Sequence, residues 1–293
     1  MNDSTYSSSQ ENQMIEKQPL YVRIISLILK CLFAFFLLLP FLWAAATSFK
    51  PLVNVMADML PFSFKAFIPH PFTLEPYVSI LKAGFGQNLF ITLVVCGVTL
   101  FIGLLINAMA GFAFAKLDFP FKQYIFILVI ISFMIPFEAI AIPLYITVRS
   151  MKFLNTIWAL IIPSVANGLC IFLFRQFFKG IPNSLIDAAT IDGANWASIF
   201  FRIFIPLSLP VMISAGLMLF ISQWQSFVWP LIAVQKESLR VAQVAISYMT
   251  RDEYNVFWNQ LTAASIITAI IPLIIIFPLQ KYYIRGISGT GIK

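Results

Sequence analysis

Charge is scarce in this chain. Asp, Glu, Lys and Arg make up 11% of its 293 residues, hydrophobic residues make up 60%, and the mean hydropathy is +0.90. A water-soluble domain is about a quarter charged, so too few polar side chains are present to cover a globule in water. Histidine occurs once, at His70 between Pro69 and Pro71. A lone histidine with no cysteine or carboxylate at ligand spacing excludes an imidazole-based metal site. Cysteine occurs three times, at Cys31, Cys96 and Cys170, each within apolar sequence. Such scattered cysteines form neither a disulfide framework nor a metal site, and are expected to be small buried apolar residues. No cluster of His, Asp, Glu, Cys or Ser marks a catalytic centre. A phosphate loop is missing too: the glycines at Gly286, Gly289 and Gly291 are followed only by Ile292 and Lys293, where that loop needs Gly-Lys-Ser/Thr and a helix. No nucleotide site, metal or cofactor is therefore expected in this chain.

Apolar runs of membrane length are abundant. About 20 residues of helix cross a hydrocarbon core of roughly 30 Å. Asn88–Ala115, Phe153–Phe174, Ile203–Val234 and Leu261–Gln280 carry no charge; Ile25–Ser48 carries only Lys30, and Tyr124–Val148 only Glu138. Lys30 can snorkel from the inner end of its span. The runs are much longer than barrel strands and lack two-residue alternation, so helices are expected. This predicts an all-α polytopic membrane protein with six transmembrane helices over residues 25–280. Residues 1–24 are predicted to be a polar N-terminal tail and 281–293 a C-terminal tail. The N-terminal tail lacks the pattern of a cleavable signal, so the first span is expected to stay in place.

Six spans put both termini on one side. With termini inside, the inner segments hold eleven Lys and Arg and the outer ones eight; the positive-inside rule favours that orientation. The net charge of +7 is ordinary beside anionic lipid and gives no reason to expect nucleic acid.

The stretch between the fourth and fifth spans reads Ile181-Pro182-Asn183-Ser184-Leu185-Ile186-Asp187-Ala188-Ala189-Thr190-Ile191-Asp192-Gly193-Ala194-Asn195-Trp196. Pro182 suits a helix start, and Ser184 with Asp187 suggests a relaxed capping box. Leu185, Ala188 and Ala189 share a small, smooth helical face that another surface can approach closely. Gly193 supplies a left-handed turn. A second amphipathic helix follows, with Trp196, Ile199, Phe200, Ile203 and Phe204 on one stripe and Asn195, Ser198 and Arg202 on the other. By physics alone this is either a plain interfacial connection or a docking element for a partner.

Here the residues resemble a known family. Asp187-Ala188-Ala189-Thr190-Ile191-Asp192-Gly193-Ala194, followed by Ile205-Pro206, is similar to the loop E-A-A-x-x-D-G-A of ABC importer permeases, with Asp187 in place of the usual glutamate. Thr47-Ser48-Phe49-Lys50-Pro51, Pro136-Phe137-Glu138, Ile142-Pro143-Leu144-Tyr145, Phe174-Arg175-Gln176-Phe177-Phe178, Trp224–Leu231 and Gly286–Lys293 extend the resemblance towards the maltose-permease-like branch. It implies a type I importer fold and a permease subunit that carries a sugar or oligosaccharide. It also implies a coupling loop over about 179–205, with Asp187, Ala188, Ala189, Asp192, Gly193 and Ala194 against a partner ATPase. The implied partners are a second permease, two ATPase subunits holding ATP and magnesium, and an extracytoplasmic substrate-binding protein. The implied location is a bacterial or archaeal cytoplasmic membrane.

Three further residues are candidates for the passage. Glu138 is the one acid inside a span, and intramembrane carboxylates point to function. Gln225 and Ser226 are polar groups beside Trp224 and Trp229, which suit a sugar ring or an interfacial aromatic belt. The alternative function is an ion-coupled secondary transporter using Glu138. It would need several paired intramembrane charges and usually an internal repeat; the sequence has one such acid and no evident repeat.

Overall fold

The computed structural model describes residues 19–59, 61–250 and 256–288. Among them every regular element is helical. Most of the expected N-terminal tail, up to residue 18, and the tail residues 289–293 lie outside the described residues.

The chain divides into two compact units, one holding residues up to Pro76 with Trp258–Ala263, the other Tyr77–Phe257 with residues from Ala264 onward. The first unit opens with α1 (Leu20–Ser48), which starts five residues earlier than its apolar run suggests. Its membrane-length window buries no residue within the chain. Cys31, expected to be buried, is therefore exposed; a helix apolar all round needs no intrachain cover when its surroundings are lipid or other helices. After α2 (Leu52–Met59) the loop folds back around Lys50. Lys50 is 1% exposed, pairs with Asp58 Oδ2 at 2.8 Å and donates to the Lys65 carbonyl at 2.6 Å. A buried ammonium is tolerated only when paired and hydrogen-bonded in this way. Asn259 Nδ2 also donates to the Lys50 carbonyl at 3.1 Å. Lys50, one of the eight outer basic residues in the expected topology, is thus the organising centre of that loop.

The second unit runs on from α3 (Glu75–Lys82) into α4 (Phe85–Lys116), the long helix against which several others pack. Next come α5 (Lys122–Met134), α6 (Phe137–Ser150), α7 (Ile157–Val165), α8 (Gly168–Lys179), α9 (Ser184–Ile191), α10 (Trp196–Leu207) and α11 (Leu209–Trp224). The short α12 (Val228–Ala233) and α13 (Ala242–Tyr248) precede α14 (Trp258–Ser288). Gly111 lets α4 and α8 touch: a methyl there would collide with Phe174 Cβ. Asn107 on α4 stitches the break between α7 and α8. Its Nδ2 donates to the Val165 carbonyl at 2.8 Å, and its Oδ1 accepts from Asn167 N–H at 2.8 Å. Backbone groups freed at membrane depth need such partners.

Four of the six expected spans are single helices or nearly so: Leu20–Ser48, Phe85–Lys116, Ile157–Lys179 and Trp258–Gln280. The other two are broken. α5 and α6 meet at 105° rather than forming one span over Tyr124–Val148. Pro136 cannot donate to the helix ladder, and it pushes Ile135 to an extended ψ of 123°. The run Ile203–Val234 divides twice. α10 and α11 bend by 82° around Ser208, between Pro206 and Pro210, and α11 ends at Trp224 before α12. An unbroken apolar run predicts burial in lipid, but proline spacing decides where the helix turns.

Candidate functional site

The most exposed ordered feature in the sequence between the fourth and fifth spans is α9. Its start is held by a residue far away in sequence. Lys116, at the C-terminus of α4, donates to the Ile181 carbonyl at 2.6 Å and to Asn183 Oδ1 at 2.7 Å. A lysine at a helix C-terminus is also favoured by the helix dipole. Asn183 occupies the N-cap position, yet its side chain faces Lys116 and caps no backbone N–H. The capping box expected from Ser184 and Asp187 is not formed: Ser184 already lies inside the helix. Nothing in local spacing announces Lys116, because the signal for this clasp is a tertiary approach across about two-thirds of a hundred residues.

The helix ends as expected. Gly193 has φ of +79°, and its N–H donates to the Thr190 carbonyl at 3.0 Å while Ala194 N–H donates to Ala189 O at 2.9 Å. Asn195 then caps α10, accepting from Ser198 N–H at 2.8 Å, which is the side-chain capping that an Asn at this position favours.

Six residues were expected to face a partner. Asp187, Ala188, Asp192 and Gly193 are exposed, and Ala194 is half-buried. Ala189 is not on that face. It is 8% exposed and packs into the apolar core, because the face shared with Leu185 and Ala188 is wide enough for its edge to turn inward. The outward stripe is instead Leu185, Ala188 and Ile191, and Ile191 is 87% exposed. An isoleucine so open on a short helix was not singled out by residue pattern. The side chains of Asp187 and Asp192 make no hydrogen bond among the described residues, so both carboxylates are available outward. Beside them Asp192, Gly193, Ala194, Asn195, Ser198 and Arg202 line a concavity of about 500 Å³.

This exposed corner stands on a rigid base. Phe112 of α4 lies at the centre of an aromatic cluster, 4.8 Å from the Phe204 ring, 5.3 Å from Phe200, 6.1 Å from Phe178 and 6.1 Å from Trp196. Edge-to-face and tilted pairs of this kind add about 0.5–1.5 kcal/mol each beyond buried area. Ala189, Ile199 and Phe174 complete the same core. The cluster ties α9 and α10 to α4 and α8, so a displacement of α9 is carried by packed contacts rather than by a loose loop.

The passage candidates fare unevenly. Glu138 is exposed in the first turn of α6, just after the bend, and makes no ion pair or hydrogen bond among the described residues. Gln225 caps the end of α11 and is exposed. Ser226 lines a cleft of about 340 Å³ with Phe137, Ser222, Gln223, Phe227 and Trp229; neither Glu138 nor Gln225 lines it. Trp224 and Trp229 belong to the core rather than to a belt. Each is buried and donates its indole N–H, to Thr268 O at 3.2 Å and to Ala159 O at 2.8 Å respectively.

Known proteins share these features. Residues 103–288 match the family described as the binding-protein-dependent transport system inner membrane component. The arabinooligosaccharides transport system permease protein AraQ of Halalkalibacterium halodurans is 31% identical over 267 residues, covering 89% of this chain and 92% of that protein. The sn-glycerol-3-phosphate transport system permease protein UgpE of Salmonella typhi is 32% identical over 186 residues, covering 63% and 66% of the two chains. A crystal structure of a bacterial ABC transporter that imports the acidic polysaccharide alginate superposes with a TM-score of 0.77 at 20% identity, covering 91% of this chain and 98% of that one. At that identity the likeness speaks for the fold alone, and it agrees with the all-helical architecture with bent spans. None of these proteins is described as an ion-coupled carrier. By sequence over most of its length and by fold, the chain belongs to the family of binding-protein-dependent transport system inner membrane components, as an importer permease.

Proposed function

We propose that this permease is one half of the translocation pathway of an ATP-driven importer for a sugar or oligosaccharide, and that the 182–206 loop receives the force of ATP binding. The observation that carries this reading is the exposed edge of α9, formed by Asp187, Ala188, Ile191 and Asp192, on a base clamped by Lys116 and the Phe112 cluster. An exposed apolar residue flanked by two carboxylates unpaired among the described residues suits a protein groove with apolar walls and basic rims. Two ATPase subunits supply that groove together with ATP and magnesium. A second permease completes the passage and a binding protein delivers cargo from outside. The ATPases work on cytoplasmic ATP, so the loop and both termini lie on the cytoplasmic side of the cell membrane.

In this reading the ATPases close on ATP and displace α9 as a rigid body. Lys116 passes the displacement to the end of α4, and the aromatic cluster passes it to α8, α10 and α11. The spans then switch between two packed arrangements, as rigid-body transitions do. Saccharide cargo agrees with the naming of AraQ and of the lactose permease LacG of Rhizobium radiobacter, which is 28% identical over 187 residues. The test is to tag the chain, extract it gently from its native membrane and identify what accompanies it. A soluble ATPase and a second polytopic permease are expected. A homo-oligomer without an ATPase, under conditions where known complexes survive, contradicts the proposal.

A further inference from the structure

Hydroxyl groups in the spans of this protein mostly satisfy themselves. Thr92, Ser132, Ser214 and Thr268 each donate back to a carbonyl three or four residues earlier, at 2.7, 2.7, 3.0 and 2.8 Å. Ser222 and Ser226 do not: neither side chain makes a hydrogen bond among the described residues. Beside them Gln223 is 9% exposed, and its Nε2 reaches the Leu160 carbonyl at 3.5 Å while its Oε1 accepts nothing among the described residues. Two free hydroxyls and an amide oxygen come together in a stretch without charge, Ile203–Val234. Facing hydrocarbon, each would lack a partner and cost free energy. Facing a water-filled passage, each is ready for a ligand.

Three aromatic residues, Phe137, Phe227 and Trp229, stand among the aliphatic side chains of the remaining wall. Trp229 is fixed by its bond to Ala159 O and by an edge-to-face contact with Phe137, ring centroids 6.3 Å apart. Phe227 stands partly exposed at the turn between α11 and α12. The cleft measures about 340 Å³, at the lower end of the roughly 300–1,000 Å³ of small-molecule sites. Its lining contains no Lys, Arg, His, Asp or Glu. Aromatic faces take the C–H faces of a pyranose or furanose ring, and hydroxyls and an amide take its OH groups. An anionic cargo would find no counter-charge, and charge at membrane depth is costly without one.

We infer that this cleft, with Ser222, Gln223 and Ser226 as its polar contacts and Phe137, Phe227 and Trp229 as its walls, is a direct contact site of this subunit for one ring of a neutral saccharide. The inference rests on the importer reading above and adds to it. The passage contact in this subunit is neutral and hydroxyl-based, and it lies in the cleft rather than at Glu138 or Gln225. Among the cargoes named for the relatives above, it favours the neutral ones, arabinooligosaccharide and lactose, over the anionic sn-glycerol 3-phosphate and alginate.

The experiment uses the whole importer, purified with its co-encoded partners and reconstituted in proteoliposomes with ATP inside. The probes are labelled lactose, an arabinooligosaccharide mixture and sn-glycerol 3-phosphate. ATP-dependent uptake of a neutral sugar is expected. Ser222→Ala and Ser226→Ala, which remove one oxygen each and leave the packing, are expected to raise the KM for that sugar about tenfold together, the scale of one or two lost hydrogen bonds. Ser226→Phe, which fills the cleft, is expected to abolish uptake while the complex still assembles. Sugar uptake unchanged by Ser226→Phe overturns the cleft assignment and leaves the importer reading standing, as does uptake of sn-glycerol 3-phosphate alone. Failure of the chain to assemble with any ATPase overturns the importer reading itself, and the inference with it.

Discussion

Lys116 Nζ lies 2.7 Å from Asn183 Oδ1, so the end of a membrane-spanning helix holds the N-cap of the exposed helix α9. The same ammonium also takes the Ile181 carbonyl and lies 5.9 Å from the Phe204 ring centroid. One side chain thus joins α4, the start of α9 and the aromatic base of α10. A cation at this point acts as a tether for the loop that the partner ATPase is proposed to move.

Replacing the tether separates ATP hydrolysis from transport. Lys116→Met keeps the aliphatic stem but loses both hydrogen bonds, a cost of about 1.5–3 kcal/mol for bonds to a charged group. Uptake is expected to fall by about tenfold while ATP hydrolysis by the assembled complex persists. Lys116→Arg, which keeps the charge, is expected to recover part of the uptake. Faster hydrogen exchange at residues 184–191 in Lys116→Met checks that the tether, and not global folding, has been lost.

Gly193 tests the turn. A Cβ there meets nothing within 4 Å, so any penalty comes from its φ of +79° and not from crowding. A left-handed conformation costs an L-residue about 1–2 kcal/mol, least for Asn and most for β-branched residues. Transport should therefore decline in the order Gly193→Asn, Gly193→Ala, Gly193→Val, with normal insertion of all three. Equal, normal uptake by Gly193→Val would show that the turn does not set the geometry of coupling.

Gly111 and Gly97 give opposite expectations on one helix. Gly111→Ala drives a methyl into Phe174 Cβ and to 3.0 Å from Arg175 N, whereas Gly97→Ala meets nothing within 4 Å. Overpacking of this kind costs about 1–3 kcal/mol. Thermal unfolding of the detergent-solubilised protein should fall for Gly111→Ala and stay level or rise for Gly97→Ala.

Much of this was legible in the residues. The all-helical membrane class followed from the scarcity of charge, and the α9–turn–α10 unit from Asp192-Gly193 and the stripes on either side. What escaped were features made by distant residues. Lys116 is one of eleven inner basic charges in the expected topology and Lys50 an outer one, though both organise loops through partners 8 to 67 positions away. Ala189 was grouped with Ala188 because spacing defines a face only to within its edges. The bends at Pro136 and Ser208 were hidden because hydropathy counts apolar residues without regard to where a helix loses its backbone bonds. Gln223 carries no signal in the residue pattern, because the turn that ends α11 and decides which amide enters the cleft is not visible there.

The most direct test places a photoactivatable benzophenone on α9 through Ile191→Cys, in a Cys31→Ser background so that the other exposed cysteine is removed. The control is Phe101→Cys, on the exposed face of α4 within an uncharged span. Illumination of membranes containing the whole importer should link position 191, and not position 101, to a soluble ATPase, with a yield that changes when ATP is added. Linkage of position 191 only to lipid or to a second polytopic chain, whatever the nucleotide, would contradict the assignment of α9 as the coupling helix.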